Sequence, residues 1–236
     1  MITIITGKPG AGKSYYMTFK AWELIKQGHD IYANWHIDFH HLAKKLPPEK
    51  QEKMGRVFYW SEVAEIIHVK GGQIFIDEAH AFFDSREWQE MPPAARQKFS
   101  AHRHEVRINE DGKVVPTDIW AAVQSASNID KRIRQLGQYY INMKHLGRLY
   151  FVNYFELGQL MSDESSQPPK SLYTRFHWFR KRVANCYDTH ANVNYIPVDE
   201  FPFIRKYTER WSNKNSGLSP TGEISYTDWR RKQRGR

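Results

Sequence analysis

The segment GKPGAGKS, residues 7–14, decides the fold class of this chain. Its spacing is Gly, four residues, Gly-Lys and then Ser, which is the pattern of a phosphate-binding loop (P-loop). The apolar, β-branched run at residues 1–6 (MITIIT) predicts a buried strand before it. Residues 13–27 predict a helix after it, ending at Gly28. The alternative is a glycine-rich turn that matches the pattern by chance. Such a turn would need neither a strand before it nor a helix after it, so this context favours the phosphate loop.

Each residue type in the loop has a chemical reason. Glycines at 7, 10 and 12 let the backbone turn so that successive N–H groups point at phosphate oxygens. Lys13 reaches the β- and γ-phosphates, and the Ser14 hydroxyl is a ligand for Mg²⁺. The following helix adds the positive end of its dipole. The predicted ATP-binding residues are Gly7, Lys8, Pro9, Gly10, Ala11, Gly12, Lys13, Ser14 and Tyr15.

A second segment, QIFIDE at residues 73–78, predicts the catalytic half of the site. Its continuous apolar run is typical of a buried strand in a parallel sheet. Asp77 at the strand end suits Mg²⁺, and Glu78 suits polarisation of the attacking water. The alternative is an acidic surface pair that merely ends a strand, but the phosphate loop favours the functional interpretation. Two adjacent acids also fit a hydrolase better than a small-molecule kinase, which must exclude water.

Polar residues after the next strand extend the candidate site. Residues 118–124 (DIWAAVQ) predict a strand that ends at Gln124, which either senses the γ-phosphate or is an ordinary strand-end amide. Arg132 and Arg134 follow on a helix predicted at 128–136. One of them is a candidate arginine finger for a neighbour's site, and the alternative is a solvated basic helix face.

Strands and helices alternate up to residue 136, which predicts an α/β fold with a mainly parallel sheet. With the phosphate loop, this indicates a P-loop NTPase arranged as a three-layer sandwich. The runs at 139–145 and 148–155 predict an antiparallel C-terminal extension. The other predicted elements are strands at 30–34 and 57–60, helices at 61–69 and 94–101, a hairpin at 106–115, and surface loops at 36–56 and 162–170.

Composition limits the class of protein and of partner. The 236 residues include 8 Trp, 13 Tyr and 13 Phe, which argues against a disordered chain. Cys186 is the single cysteine and excludes an intramolecular disulfide; we expect it to be buried. No apolar run reaches the ~18 residues of a spanning helix. The net charge of +9 favours a polyanionic partner, either nucleic acid or an anionic membrane surface.

The order of these motifs resembles a known family. The GKPGAGKS loop, the IDEAH strand end, a His102-Arg103-His104 triplet, the DIWAAVQ strand and the segment 129–136 follow one another. This is similar to the cytoplasmic domain of zonular occludens toxin (Zot)-like proteins, the assembly ATPases of filamentous phages. They are related to phage gene I protein and to the FtsK/HerA motor ATPases. The resemblance covers residues 1 to about 195.

The resemblance implies Mg²⁺-dependent ATP hydrolysis that drives virion extrusion at the inner membrane. It implies a ring-shaped homo-oligomer, as in related hexamers, with phage coat or channel proteins as partners. The arginine finger maps onto Arg134 and the sensor onto Gln124. For His102, Arg103 and His104, a polar interface role is favoured over metal binding because no third ligand is apparent.

Three other functions stay open at this stage. One is a motor that packages double-stranded DNA, as other FtsK/HerA relatives do. Another is a nucleotide-gated scaffold that binds ATP and hydrolyses little. A P-loop kinase of a small metabolite is the third. DNA is a further candidate partner of this chain.

The C-terminal region departs from the family pattern. We expect an ATPase domain at 1–200 and a basic tail at 201–236, in which residues 205–236 hold nine Lys/Arg against three acids. Residues 229–236 look like the cytoplasmic flank of a membrane span. We therefore expect either a continuation into a span, at the cytoplasmic face of the host inner membrane, or a shorter relative working in solution.

One further segment combines rings and positive charge. Phe176, Trp178 and Phe179 lie among basic residues at 175 and 180–182. This pattern is typical of a surface that stacks and neutralises a single nucleic-acid strand. A buried strand with basic outward positions explains it equally well.

Overall fold

The computed structural model describes residues 1–60, 63–83, 93–102, 104–108, 112–156 and 171–187. Within these ranges the strands are β1 (Ile2–Thr6), β2 (Ile31–Ala33), β3 (Val57–Tyr59), β4 (Gly72–Ile76), β5 (Arg107–Ile108), β6 (Val114–Val115), β7 (Thr117–Val123), β8 (Tyr139–Leu146), β9 (Leu149–Glu156) and β10 (Tyr173–Trp178). The helices are α1 (Lys13–Lys26), α2 (His40–Ala43), α3 (Pro48–Glu52), α4 (Val63–Ile66), α5 (Pro93–Ala101), α6 (Lys131–Leu136) and α7 (Lys181–Ala184).

Eight of these strands form one sheet in the order β10-β9-β8-β1-β7-β4-β2-β3. All neighbours from β8 to β3 are parallel, whereas β9 runs antiparallel to both β8 and β10. The predicted mainly parallel sheet with an antiparallel C-terminal extension is therefore confirmed. The predicted hairpin is also present, as the separate pair β5–β6.

Helices cover both faces of the parallel part, as a three-layer sandwich requires. On one face Met17 and Trp22 of α1 pack with Phe75 and Ile141 of the sheet. On the other face Ile66, Phe99 and Ile133, from α4, α5 and α6, pack against the alternate strand positions. Side chains of successive strand residues enter opposite layers, so both layers exclude water from the sheet.

The interpretation of residues 36–56 as a surface loop is wrong in part. The helices α2 and α3 lie there, and Ile37, Phe39 and Leu42 are buried. The backbone N–H of Asp38 donates to the Cys186 carbonyl at 2.7 Å, which fixes this segment to the C-terminal part of the fold. A long-range contact of this kind leaves no periodic signal in the local sequence.

Two predicted helices are shorter than expected. The helix expected at 61–69 covers Val63–Ile66. The one expected at 128–136 begins at Lys131, because the Asp130 carboxylate accepts a hydrogen bond from the Arg132 N–H and caps it. A separate 3₁₀ turn at Ala126–Asn128 precedes it.

Several predictions fall outside the described residues. They are the surface loop at 162–170, the domain boundary at 200, the basic tail at 201–236 and the side chain of Arg103. Within the described ranges, no helix is both long and apolar enough to cross a bilayer. Cys186 is buried as expected, with 1% of its surface exposed.

Candidate nucleotide-binding site

The carboxyl ends of the parallel strands bring the predicted site residues to one edge of the sheet. The phosphate loop follows β1, Asp77 follows β4, and Gln124 follows β7, the strand between them. Ligands of open α/β sheets bind at this edge because loops and helix N-termini converge there. The fold therefore places the two halves of the predicted site side by side.

The phosphate loop has the backbone geometry that its glycines permit. Gly10 and Gly12 have φ values of 76° and 86°, and Gly12 is the N-cap of α1. A Cβ at Gly12 would overlap the ring of Tyr150 on β9, so this position also needs glycine for space. The Lys13 ammonium donates to the Gly7 carbonyl at 3.1 Å and to the Lys8 carbonyl at 3.5 Å, which holds it across the loop.

Tyr15, the last of the predicted ATP-binding residues, places its side chain in the core. Its ring is 2% exposed and stacks on Tyr150 with centroids 5.2 Å apart. Its hydroxyl accepts the backbone N–H of Arg180 at 2.8 Å. Only the main chain of Tyr15 is therefore available for a phosphate contact. Its ring packs the phosphate loop against the antiparallel extension.

Ser14 and Asp77 form the contact that joins the two halves of the site. The Ser14 hydroxyl donates to Oδ2 of Asp77 at 2.5 Å. Burial raises the pKa of the Asp77 carboxyl and the nearby Glu78 raises it further, whereas the Ser14 hydrogen bond opposes the shift. A hydroxyl and a carboxylate side by side are oxygen donors of the kind that a hard cation such as Mg²⁺ prefers.

Glu78 stands in a conformation that few residues of its type adopt. Its φ is 49°, in the left-handed region. Among the described residues, Glu78 is the one non-glycine residue with a positive φ. Its side chain is 39% exposed, and Oε2 lies 3.3 Å from Nδ1 of His80. Such backbone strain concentrates at functional positions.

Sequence reasoning missed Asn34, which holds Asp77 in place. Asn34 follows β2 and is fully buried. Its Nδ2 donates to the Asp77 carbonyl at 2.9 Å, and its Oδ1 accepts the Asp77 N–H at 2.7 Å. The only sequence signal is that the strand run DIYAN ends in an amide, which says nothing about a partner 43 residues away.

Tyr187 is a second residue close to the candidate site, in a segment that resembles the family's late Tyr-containing segment only weakly. Its backbone bridges Ile37 across the loop after β2. Burial raises the pKa of its phenol to about 12, with further contributions from Tyr150, Asp77 and Tyr15. These neighbours place Tyr187 close to the phosphate loop and the Asp77 carboxylate.

The remaining candidates lie further from this centre. Gln124 is exposed at the sheet edge, so its sensor role stays a prediction. Arg134 on α6 is partly buried and lies close enough to Tyr140 to lower that phenol's pKa, although burial makes the net shift upward. An interface role for His102 is wrong, because its ring is 3% exposed and donates to the Phe99 carbonyl at 2.7 Å. His104 is exposed.

Comparison with solved structures finds chains to which this one is similar. The N-terminal domain of zonular occludens toxin from Neisseria meningitidis is 18% identical, with a TM-score of 0.49 over 79% of this chain and 98% of that one. The genome packaging NTPase B204 from Sulfolobus turreted icosahedral virus 2, in complex with AMPPCP, is 13% identical, with a TM-score of 0.47 over 75% and 96% of the two chains. No curated protein matches the chain.

A family model carries the assignment. The model described as zonular occludens toxin (Zot) matches residues 1–188, which include the phosphate loop, Asp77, Glu78 and Tyr187. It spans most of the 236 residues. The chain belongs to the zonular occludens toxin (Zot) family.

Proposed function

We propose that this chain is a viral P-loop ATPase that powers the assembly and export of a filamentous phage. The observation that carries the proposal is the Ser14–Asp77 hydrogen bond of 2.5 Å, with Glu78 directly after it. A hydroxyl and two carboxylates therefore lie beside the phosphate loop. These are the groups that ATP hydrolysis needs.

ATP and Mg²⁺ fit the residues present. The loop N–H groups at 7–15 and the Lys13 ammonium would hold the phosphates, and Ser14 and Asp77 would hold the metal. Bound Mg²⁺ supplies charge neutralisation at the β- and γ-phosphates. Oxygen-only ligands favour this hard cation over zinc.

Hydrolysis assigns separate tasks to the side chains. A water molecule attacks the γ-phosphorus, the bond to the β,γ-bridging oxygen breaks, and ADP leaves. Glu78 orients that water and accepts its proton, a task that suits its 39% exposure beside a buried strand. Lys13 stabilises charge on the transferred phosphoryl group, and Gln124 reports whether the γ-phosphate is present.

A neighbouring copy completes the site in this proposal. Arg134 would act as an arginine finger in the next subunit of a ring, possible only when copies are assembled. Such fingers raise the rate by about 10³–10⁵-fold in other phosphoryl-transfer enzymes. Because one subunit would supply the arginine for the ATP site of the next, hydrolysis would be coupled to movement between subunits.

The biological role is extrusion of the virion at the inner membrane, from the cytoplasmic side of the host. Coat or channel proteins of the phage would be the partners of the moving ring. Membership of the Zot family and the net charge of +9 support this role. A motor that packages double-stranded DNA is the alternative, and the same charge is compatible with it.

Phosphate release from ATP, measured with and without Mg²⁺, tests the proposal. We expect release that requires Mg²⁺ and no phosphate acceptor. Strong stimulation by double-stranded DNA would favour the packaging motor over extrusion. Tight ATP binding without turnover, in the presence of anionic vesicles and DNA as well, would instead support a nucleotide-gated scaffold.

A further inference from the structure

The antiparallel extension has one packed face and one bare face. On the packed face, Tyr150 and Val152 are buried against α1, and the Tyr154 hydroxyl meets that of Tyr16 at 2.7 Å. The alternate residues of the same strands point the other way. Phe176 is 67% exposed and Trp178 is 62% exposed there, so the interpretation of this segment as a buried strand is wrong.

The bare side chains form two rows across three strands. Register places Phe176 opposite Phe151, and Phe151 opposite Lys144. In the second row, Trp178 lies opposite Leu149, which lies opposite Leu146. The two phenylalanine rings meet edge to face with centroids 5.5 Å apart. We name this surface the open face: Lys144, Leu146, Leu149, Phe151, Phe176 and Trp178.

The charge around the open face has one sign. Residues 139–155 and 171–187 contain no Asp or Glu. The same stretches contain the basic residues Lys144, Arg148, Arg175, Arg180, Lys181 and Arg182, of which Arg175 and Arg180 lie over the rings of Tyr154 and Phe19 on the packed side. Lys144 and Arg148 are exposed at the hairpin end of the open face. An extended polyanion on the open face therefore meets Lys144 and Arg148 without a repulsive carboxylate from residues 139–155 or 171–187.

We propose that the open face binds single-stranded nucleic acid, with bases stacked on Phe176 and Trp178 and phosphates held by Lys144 and Arg148. Exposed rings on a sheet provide a stacking platform for unpaired bases, which a duplex keeps covered. Protein interfaces are depleted in lysine, so a lysine beside the rings favours a nucleic acid over a protein partner. This inference rests on the proposed function and deepens it, because it names the class of nucleic acid that the ATPase would contact.

The open face is also joined to the nucleotide site. Tyr150, which would overlap a side chain at Gly12, lies between Leu149 and Phe151 in sequence. Its neighbours therefore reach the open face while it contacts the phosphate loop. A nucleic-acid strand bound to Leu149 and Phe151 would therefore contact the residues directly next to Tyr150, which packs against the phosphate loop on the other side of β9.

Binding of fluorescent oligomers to the full chain tests the proposal. The probes are single-stranded dT of about 20 nucleotides, which exceeds the ~4–16-nucleotide sites of known folds, and a duplex of equal length. We expect Phe176→Ala and Trp178→Ala each to weaken dT binding about tenfold. Duplex binding should not change, since the basic tail is intact in every variant. Ile108→Ala is the matched control, because Ile108 is 69% exposed on the separate β5–β6 hairpin.

The salt dependence of dT binding tests the cations separately. Lys144→Gln and Arg148→Gln should each reduce the slope of log K against log salt by about 0.7. Lys50→Gln, on exposed α3, is the control and should leave the slope unchanged. Unchanged dT affinity in both ring variants would overturn the proposal, as would equal losses for dT and duplex.

Two further outcomes would also overturn it. One is loss of binding to anionic phosphatidylserine vesicles, with dT affinity retained, in the ring variants. The other is a change in oligomeric state by analytical ultracentrifugation without a change in dT affinity. DNA-free ATP hydrolysis should persist in all open-face variants; its absence in the wild type would count against the proposed ATPase, not against this surface.

Discussion

The hydroxyl of Ser14 donates a hydrogen bond to Oδ2 of Asp77 across 2.5 Å, although 63 positions separate the two residues in the chain. Ser14 is at the start of α1 and Asp77 directly follows β4. The strand β7 lies between β1 and β4 and sets their separation. The two oxygens are thus positioned by the sheet itself, which is the preorganisation that a metal-assisted site needs.

Removal of the Lys13 ammonium should abolish useful nucleotide binding. The Lys13→Ala variant loses a charged donor beside the phosphates, and we expect ATP affinity to fall about 30- to 100-fold. Isothermal titration of ATP measures this change. Lys50→Ala, on the exposed helix α3, should bind as the wild type does. Equal affinity of Lys13→Ala and wild type would exclude the loop as the ATP site.

Replacement of Asn34 should disturb the site through Asp77. Asn34→Ala removes both hydrogen bonds to the Asp77 backbone and leaves a buried N–H unpaired, so we expect a loss of about 2–3 kcal/mol of unfolding free energy. It should also lower kcat more than it raises KM, because ATP still finds the loop. Urea unfolding and steady-state kinetics measure the two effects. Asn128→Ala, at an exposed amide, is the control, and identical behaviour of both variants would refute a positioning role.

The thiol of Cys186 should be unreactive in the folded chain. Burial raises its pKa to about 12, with a smaller contribution from Asp38. The raised pKa lowers the thiolate fraction at pH 8 by about 1,000-fold relative to an unfolded chain, in which the pKa is ordinary. Labelling with a thiol reagent at pH 8, with and without denaturant, measures the difference. Rapid labelling of folded protein would mean that the contact between α7 and the segment after β2 opens readily.

The assignment of Arg134 as a finger in trans predicts a dependence on concentration. ATP turnover per chain should rise as copies assemble. Arg134→Ala should bind ATP normally, yet lose about 10³-fold or more of the assembled rate. Turnover measured over a dilution series, with sedimentation to follow assembly, checks both points. Arg132→Ala is the comparison, and a larger loss there would transfer the role to that residue. Constant turnover per chain at every concentration would contradict a site completed by a neighbour.

The parts of the site that depend on local patterns could be predicted. The glycine spacing at 7–14 and the apolar run before Asp77 each specify their own backbone, so the loop between β1 and α1 and the buried strand before Asp77 are confirmed. Their meeting at one sheet edge followed from the parallel topology. Asn34 could not be predicted from the sequence. Its hydrogen bonds join the ends of two strands that are distant in the chain, and a single amide residue forms no recognisable sequence pattern.

Tertiary contacts explain most of the remaining differences. The run 36–56 is polar enough for a loop, but its few apolar residues are anchored by Cys186 from the other end of the described chain. Phe176 and Trp178 are as apolar as core residues, yet they lie on the open face of the antiparallel extension, where they are 67% and 62% exposed. Hydrophobicity alone cannot distinguish a buried strand from an edge strand with a partner outside the chain.

Phosphate release by Glu78→Gln, measured beside the wild type at saturating ATP and Mg²⁺, tests the central claim most directly. The amide keeps the size of the side chain but cannot accept the proton of the attacking water. We predict unchanged ATP binding with turnover reduced by about 10²–10⁴-fold. Turnover equal to the wild type would contradict the account, because the carboxylate that follows Asp77 would then have no part in hydrolysis.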